Sequence, residues 1–195
     1  MKVSREQMAE NRLRILDAAS RLFREKGFDA VTVAEVMKAA GLTHGGFYGH
    51  FESKDDLVAQ AITRALETRA GTTLDLDAYI ASYLSPAHRD NPGGGCPTAG
   101  LAAQTRHQSE AARAAMTEGF RGQLERMTAA LPDGDDIERR RNAIATLSAM
   151  VGAVILSRAI DDPELADEVL EATRARIEAS VGKGAISNMP AVGRS

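Results

Sequence analysis

The chain has 195 residues, of which 44% are hydrophobic, and it carries a net charge of −3 at pH 7. The apolar content is enough to bury a core, while the slight acidity excludes a protein that binds nucleic acid through a generally basic surface. A single cysteine, Cys96, excludes an internal disulfide framework.

The first predicted helix covers about residues 4–26 and ends at Gly27, because glycine readily adopts the backbone conformation that closes a helix. Its apolar residues recur at helical spacing and fall on one face: Ile15, Leu16, Ala19, Leu22 and Phe23. One apolar face is typical of a helix that packs in a domain and keeps a solvated back.

Residues 32–54, TVAEVMKAAGLTHGGFYGHFESK, predict a helix-turn-helix. Thr32 and Glu35 have the spacing of a capping box that starts a short helix, and Gly41 ends that helix. Thr43 is a good cap for a second helix that continues to His50.

Three glycines in this second helix, Gly45, Gly46 and Gly49, each cost roughly 1 kcal/mol relative to alanine in a helix interior. Helix stability therefore does not explain them. Glycine lets a backbone approach another surface closely, and the groove or phosphate strand of DNA is one such surface. The alternative is a loop that carries an incidental aromatic pair.

The remaining sequence also predicts helices. Ser53 starts a long helix, with Asp56 three residues on and an apolar stripe after it. A short helix is expected over about residues 74–84, and a loop over residues 85–95. Later helices are expected to start near the following residues: Pro97, Glu110, Ile137 and Glu164.

The predicted fold is all-α, because strand signals and fixed-period repeats hardly appear. We expect an N-terminal three-helix helix-turn-helix DNA-binding domain at residues 1–52. A C-terminal helical bundle for ligand binding and dimerisation is expected at residues 53–182, and a flexible tail at residues 183–195.

Residues 143–160 are apolar nearly all round the predicted helix, so this helix needs cover on more than one side. A partner subunit is one source of cover, which predicts a homodimer. A central position in a monomeric bundle is the alternative.

Two segments, ILDAASRLFREKGFDAVTV and VMKAAGLTHGGFYGHFESKDDLV, carry a family resemblance. With its FY-x-HF-x-SK-x-x-L pattern, the first third of the chain resembles the DNA-binding end of the TetR family of bacterial transcriptional regulators. The resemblance implies a homodimer joined by the last two long helices, and repression as the usual outcome. Two-fold symmetry then implies a palindromic double-stranded DNA operator.

The positions that match the family pattern are the expected DNA contacts. Base recognition is expected from the start of the second helix and from two residues close by: Thr43, His44, Gly45, Gly46, Tyr48 and His50. Phosphate contacts are expected from Thr32, Tyr48 and Lys54. The alternative role of Thr32 is that of a helix cap only, and the alternative for His44 and His50 is that of exposed polar residues without a role. Phe47 and Phe51 are expected to lie in the core and not to contact DNA. The glycine pair departs from the Lys-Gly or Lys-Ala pairs familiar in the family.

A pocket for an unknown small-molecule effector is expected in the C-terminal bundle. Methionines and a few aromatics suit an apolar ligand, although they suit an ordinary core equally well. The candidate lining residues are Tyr79, Tyr83, Met116, Phe120, Met150 and Val154.

Cys96 lies in GGGCPTAGL at the predicted start of a helix, where a thiolate is favoured. This GC pattern resembles a subset of TetR-like regulators, some of which use a cysteine in this region to sense oxidants or electrophiles. A redox-sensing or electrophile-sensing regulator is therefore one alternative function. A packed thiol without a sensing role is the simpler interpretation of Cys96.

A non-specific architectural DNA-binding protein is the alternative from another class, but it would normally be more cationic. No enzyme, metal site or cofactor is expected, because the four histidines lack metal spacing and no nucleotide or nucleophile motif is present. Residues 1–14 are charged and lack an apolar run, and residues 143–157 are shorter than the roughly 20 residues of a membrane span. These features predict a soluble cytoplasmic protein.

Overall fold

The computed structural model describes residues 4–67, 74–132 and 134–187, with side chains up to residue 181. Throughout this part of the chain the ordered elements are helices, so the all-α prediction is confirmed. The helices are α1 (Arg5–Lys26), α2 (Val33–Ala39), a 3₁₀ helix (His44–Gly49), α3 (Lys54–Glu67), α4 (Leu76–Tyr83), α5 (Pro86–Arg89), α6 (Pro97–Thr105), α7 (Glu110–Ala130), α8 (Asp136–Ala159) and α9 (Pro163–Ser187). The 3₁₀ helix His44–Gly49 is called the recognition element below.

Polar caps set the starts of the first helices. Ser4 Oγ accepts from the Gln7 N–H at 3.1 Å, and Thr32 Oγ1 accepts from the Glu35 N–H at 3.2 Å. The Glu35 carboxylate of the predicted capping box interacts with the Thr32 backbone and also pairs with Lys26 Nζ at 2.5 Å. This ion pair lowers the pKa of Glu35.

The predicted second helix is wrong in type and slightly in length. It is a six-residue 3₁₀ helix, in which the N–H of Gly46 bonds to the Thr43 carbonyl and that of His50 to the Phe47 carbonyl. Three glycines in six residues favour α-helix poorly, and 3₁₀ helices are common in such short connections. Thr43 occupies the cap position but makes no side-chain capping bond.

The chain forms two compact units, called unit 1 and unit 2. Unit 1 comprises Met1–Gly71 and Asn91–Gly122, and unit 2 comprises Thr72–Asp90 and Gln123–Ser195. In unit 1, α1 packs on α2, α3 and α6 around a core centred on Phe23, Phe28 and Phe47. The helix-turn-helix therefore shares a core with α3 and α6, and the division predicted at residue 52 stays a prediction about function.

Two loop predictions need correction. Residues 85–95 are not all loop, because Ser85 Oγ caps a short helix, α5, whose first residue is Pro86. Helix α9 is described as far as Ser187, within the segment 183–195 that was predicted to be a flexible tail. Residues 188–195 of that tail lie outside the described residues.

In unit 2, α8 packs on α9 and buries Leu147, Met150 and Val154. Ile144, Ile155 and Leu156 remain 43%, 39% and 57% exposed. Helix α8 is also long and apolar enough to cross a bilayer. This is weak evidence for a membrane span, because core helices of globular proteins share the same length and composition.

Candidate nucleic-acid interface

The inner side of the recognition element is anchored in the core of unit 1. Phe47 is 1% exposed and stacks on Phe51, with their ring centroids 5.6 Å apart. Val36 and Met37 of α2 are buried in the same cluster. Assigning Phe47 and Phe51 to the core is therefore confirmed, and these contacts hold the element against α2.

The outer side of the recognition element is open. Tyr48 is 75% exposed, and Thr43, His44, Gly45 and Gly46 are exposed with it. A methyl group at Gly45 would have no neighbouring atom of the described residues within 4 Å. Packing inside the protein therefore does not require glycine at this position, and space remains for an external surface.

The other two glycines give the same result. A methyl group at Gly46 would lie 3.7 Å from Met37 Cε, and one at Gly49 would lie 4.0 Å from Met8 Cε, both ordinary van der Waals distances. Gly41 is different, because its φ of +70° closes the turn and a methyl group there would meet Arg14 Nη2 at 2.7 Å. Arg14 also donates to the Ala40 carbonyl at 2.5 Å, which fixes this turn.

The remaining predicted DNA contacts flank the recognition element in unit 1. Thr32 is exposed at the start of α2, although its hydroxyl is engaged as a cap. Lys54 is half-buried at the first position of α3, where Ser53 Oγ accepts from the Asp56 N–H at 3.1 Å. His50 is half-buried at the end of the recognition element, and burial followed by the nearby Arg12 charge lowers its pKa.

Sequence patterns did not identify Arg12, which joins three parts of unit 1. Its guanidinium donates to the His50 carbonyl and to Gln60 Oε1, and it lies 4.6 Å from the centroid of the Phe51 ring. The two bonded partners are 38 and 48 residues away in sequence. No local spacing rule could have found this contact.

The structure does not assemble the six predicted effector-pocket residues in one unit. Tyr79, Tyr83, Met150 and Val154 belong to unit 2, whereas Met116 and Phe120 belong to unit 1. The rings of Tyr79 and Tyr83 are 5.6 Å apart. Among the described residues, a surface cavity of about 320 Å³ lies in unit 2, lined in part by Arg89, Ser157 and Arg158, and it includes none of the six.

Cys96 is half-buried at the cap position of α6, directly before Pro97. Arg24 lies close enough for its charge to interact with Cys96, and burial lowers the pKa of Arg24. The Arg24 guanidinium also donates to the Gly93 carbonyl and to Ser20 Oγ. Cys96 therefore has a cation nearby, although this cation is held by other groups.

The helix-turn-helix has an anchored inner side and an open outer side, which is the geometry of a DNA-binding element. The sequence model described as "Bacterial regulatory proteins, tetR family" matches residues 15–61. The N-terminal part of the chain is therefore similar to the DNA-binding part of TetR family regulators.

Comparison with three curated relatives shows how much of the chain is similar to known regulators. The chain is 40% identical over 57 residues to the regulator AcrR of Shigella flexneri, covering 29% of this chain and 26% of AcrR. It is 43% identical over 56 residues to the repressor Rv1474c of Mycobacterium tuberculosis, covering 29% and 30%. These matches span less than a third of either relative. The repressor NemR of Escherichia coli K12 is 29% identical over 137 residues, covering 64% of this chain and 69% of NemR.

Solved structures support the fold over most of the chain. The reduced form of E. coli NemR superposes with a TM-score of 0.69 at 23% identity, covering 87% of this chain and 96% of NemR. A TetR family regulator from Agrobacterium tumefaciens superposes with a TM-score of 0.68 at 23% identity, covering 88% and 98%. At this identity the likeness concerns the fold alone.

Proposed function

We propose that this protein is a cytoplasmic repressor that binds a palindromic operator as a homodimer and is released by a small-molecule effector. The observation that carries the proposal is the open outer side of the recognition element, whose glycines no contact among the described residues requires. Glycine here leaves room for the backbone to approach the major groove closely.

In this proposal the exposed residues Thr43, His44, Gly45 and Gly46 face base edges, with Tyr48 and His50 beside them. Thr32 and Lys54 contact phosphates, together with the Tyr48 hydroxyl. Few cations are involved, which agrees with the nearly balanced charge of the sequence. Specific contacts must then supply much of the affinity that a basic surface would otherwise provide.

The homodimer is supported by apolar surface on unit 2. Ile144, Ile155 and Leu156 of α8 are exposed, and Leu165 of α9 is 44% exposed. Large apolar side chains exposed on two adjacent helices are typical of a surface that another protein covers. A two-fold pair of recognition elements requires an operator with inverted half-sites.

Effector release requires a ligand that binds one dimer state more tightly than the other. The four candidates that belong to unit 2 remain the proposed lining: Tyr79, Tyr83, Met150 and Val154. Their mixture of aromatic and thioether side chains suits an apolar ligand. A metabolite panel tested for loss of operator binding addresses this part, and a panel without any effect would remove its support.

The main experiment is a selection from a random duplex library with the purified protein, followed by sequencing of the bound DNA. We expect an inverted repeat, and binding to it at about 0.15 M salt that exceeds binding to random duplex by roughly a thousandfold or more. Equal affinity for both duplexes at every salt concentration would instead identify an architectural DNA-binding protein.

Sensing through Cys96 is a second candidate function, supported by the position of the thiol at the start of α6 with Arg24 nearby. The test compares operator binding before and after treatment with a thiol reagent. Loss of binding in wild type but not in Cys96→Ser supports sensing. Unchanged binding in both proteins ends this alternative.

A further inference from the structure

We propose that Arg12 is a positioning residue for DNA recognition, which sets the orientation of the recognition element by joining it to α1 and α3. This inference rests on the proposed DNA-binding function. It concerns a residue that holds the binding segment from inside unit 1, not one that contacts DNA.

The geometry of the guanidinium carries the argument. One nitrogen of Arg12 donates to the His50 carbonyl, at the end of the recognition element, and another donates to Gln60 Oε1 on α3. The planar fork of arginine suits two acceptors at once, whereas a lysine ammonium is a point charge on a flexible stem. Arg12 therefore fixes the orientation of the recognition element relative to α3 more tightly than a single hydrogen bond would.

Further contacts extend the link. The guanidinium lies over the Phe51 ring at 4.6 Å, so it also restrains the residue that follows His50. Gln60 Nε2 donates to Asp56 Oδ1 at 2.6 Å, and Asp56 Oδ2 accepts from the Glu52 N–H at 3.1 Å. The segment between the recognition element and α3 is thus held by a continuous polar network.

The direction of these bonds separates Arg12 from a phosphate contact. Both terminal nitrogens of its guanidinium donate inward to protein acceptors, and the side chain is half-buried. Loss of a phosphate contact reduces the slope of a plot of log binding constant against log salt concentration by about one. Loss of a positioning residue is expected to weaken specific binding and leave that slope unchanged.

The experiment measures affinity for the selected inverted repeat, its salt slope and thermal unfolding for Arg12→Lys, Arg12→Gln and Gln60→Met. Arg21→Gln is the matched control on α1, because Arg21 pairs only at the surface with Glu25. Lys54→Gln is the comparison for a phosphate contact. We expect Arg12→Lys to weaken specific binding about tenfold with an unchanged salt slope.

Gln60→Met keeps the proposal testable if the Arg12 variants fail to fold. It removes the acceptor on α3 and leaves the arginine in place, so a similar loss of specific binding is expected. The double variant Arg12→Lys with Gln60→Met is expected to lose no more than either single variant. Wild-type affinity in Gln60→Met, or a slope change in Arg12→Lys equal to that of Lys54→Gln, would overturn the proposal.

His50 supplies a spectroscopic readout that general destabilisation would not move. Arg12 contributes to the lowered pKa of His50, so titration of the imidazole by NMR is expected to give a higher pKa in Arg12→Gln. Arg12→Lys retains the positive charge and is expected to keep the pKa low. An unchanged pKa in Arg12→Gln would show that the guanidinium does not lie beside His50. Wild-type selection of an inverted repeat tests the proposed function separately.

Discussion

The outer side of the recognition element and the outer side of α8 are both exposed, but their chemistry is opposite. The recognition element presents three glycines and polar residues around Tyr48. Helix α8 presents Ile144, Ile155 and Leu156. A nearly bare backbone suits a grooved polar surface, whereas branched aliphatic side chains suit another protein.

In both regions the exposed side lies over a buried core. Both have a buried inner side, formed by Phe47 and Phe51 in unit 1 and by Leu147, Met150 and Val154 in unit 2. Burial therefore explains folding equally well in the two regions. Only the exposed side distinguishes the proposed DNA-binding surface from the proposed subunit interface.

The largest expected effect comes from the inner side of the recognition element. Phe47→Ala removes a fully buried ring and is expected to lower the free energy of unfolding by about 3–5 kcal/mol. Chemical denaturation measures this change. Tyr48→Ala is the control, because its exposed ring is expected to change stability by no more than about 0.5 kcal/mol while weakening operator binding.

The next effect concerns the outer side of α8. Leu156→Glu places a charge in the proposed subunit interface and is expected to weaken dimerisation by about 2–4 kcal/mol, or roughly 30- to 1,000-fold. Sedimentation across protein concentrations measures it. The control is Glu125→Gln on the exposed side of α7. A Leu156→Glu protein that stays dimeric would remove the distinction between the two surfaces.

A smaller effect is expected from the glycine surface. Gly45→Ala is expected to weaken specific DNA binding about tenfold while raising folding stability by up to about 1 kcal/mol, because an added methyl group meets no described atom and φ is not positive. Gly119→Ala should behave oppositely, because its added methyl group would lie 2.3 Å from Leu66 Cδ1 and overpack the core. Fluorescence anisotropy with the selected duplex and thermal unfolding distinguish the two outcomes.

The smallest effect is a pH dependence in unit 2. Burial lowers the pKa of His88 from its ordinary value of 6.5, and the Arg158 charge lowers it further, although a hydrogen bond to the Tyr83 carbonyl opposes both. The unfolded chain therefore binds the proton more readily. The neutral His88 ring therefore contributes stability that is fully present above pH 6.5. This contribution is lost as the pH falls through the lowered pKa of His88 in the folded protein.

Denaturant unfolding at pH 7.5 and pH 5.5 tests this dependence. His88→Gln is expected to reduce the difference in stability between the two pH values. His107→Gln is the control, since His107 is exposed. An identical pH dependence in wild type and His88→Gln would contradict the assignment.

The sequence predicted the helix bounds and the helix-turn-helix because their signals are local. Ser4, Gly27 and Thr32 act through neighbours within four residues, so spacing alone identifies them. The exposed glycines and the buried Phe47 were predicted for the same reason. Local rules failed to give the 3₁₀ form of the recognition element, because the competition between α and 3₁₀ hydrogen bonding depends on its surroundings.

Long-range contacts could not be predicted from local sequence patterns. Arg12 contacts residues 38 and 48 positions away, and the Glu35 carboxylate of the capping box also pairs with Lys26. A proposed effector pocket has no local sequence signal, since a core and a ligand cavity use the same apolar residues.

Hydrogen exchange tests most directly whether the outer side of the recognition element meets DNA. The measurement follows the backbone amides of residues 43–50 with saturating selected duplex and with a scrambled duplex of equal length. We predict slower exchange in this segment with the selected duplex and little change with the scrambled one. Unchanged exchange in residues 43–50 while the protein is fully bound would contradict the account.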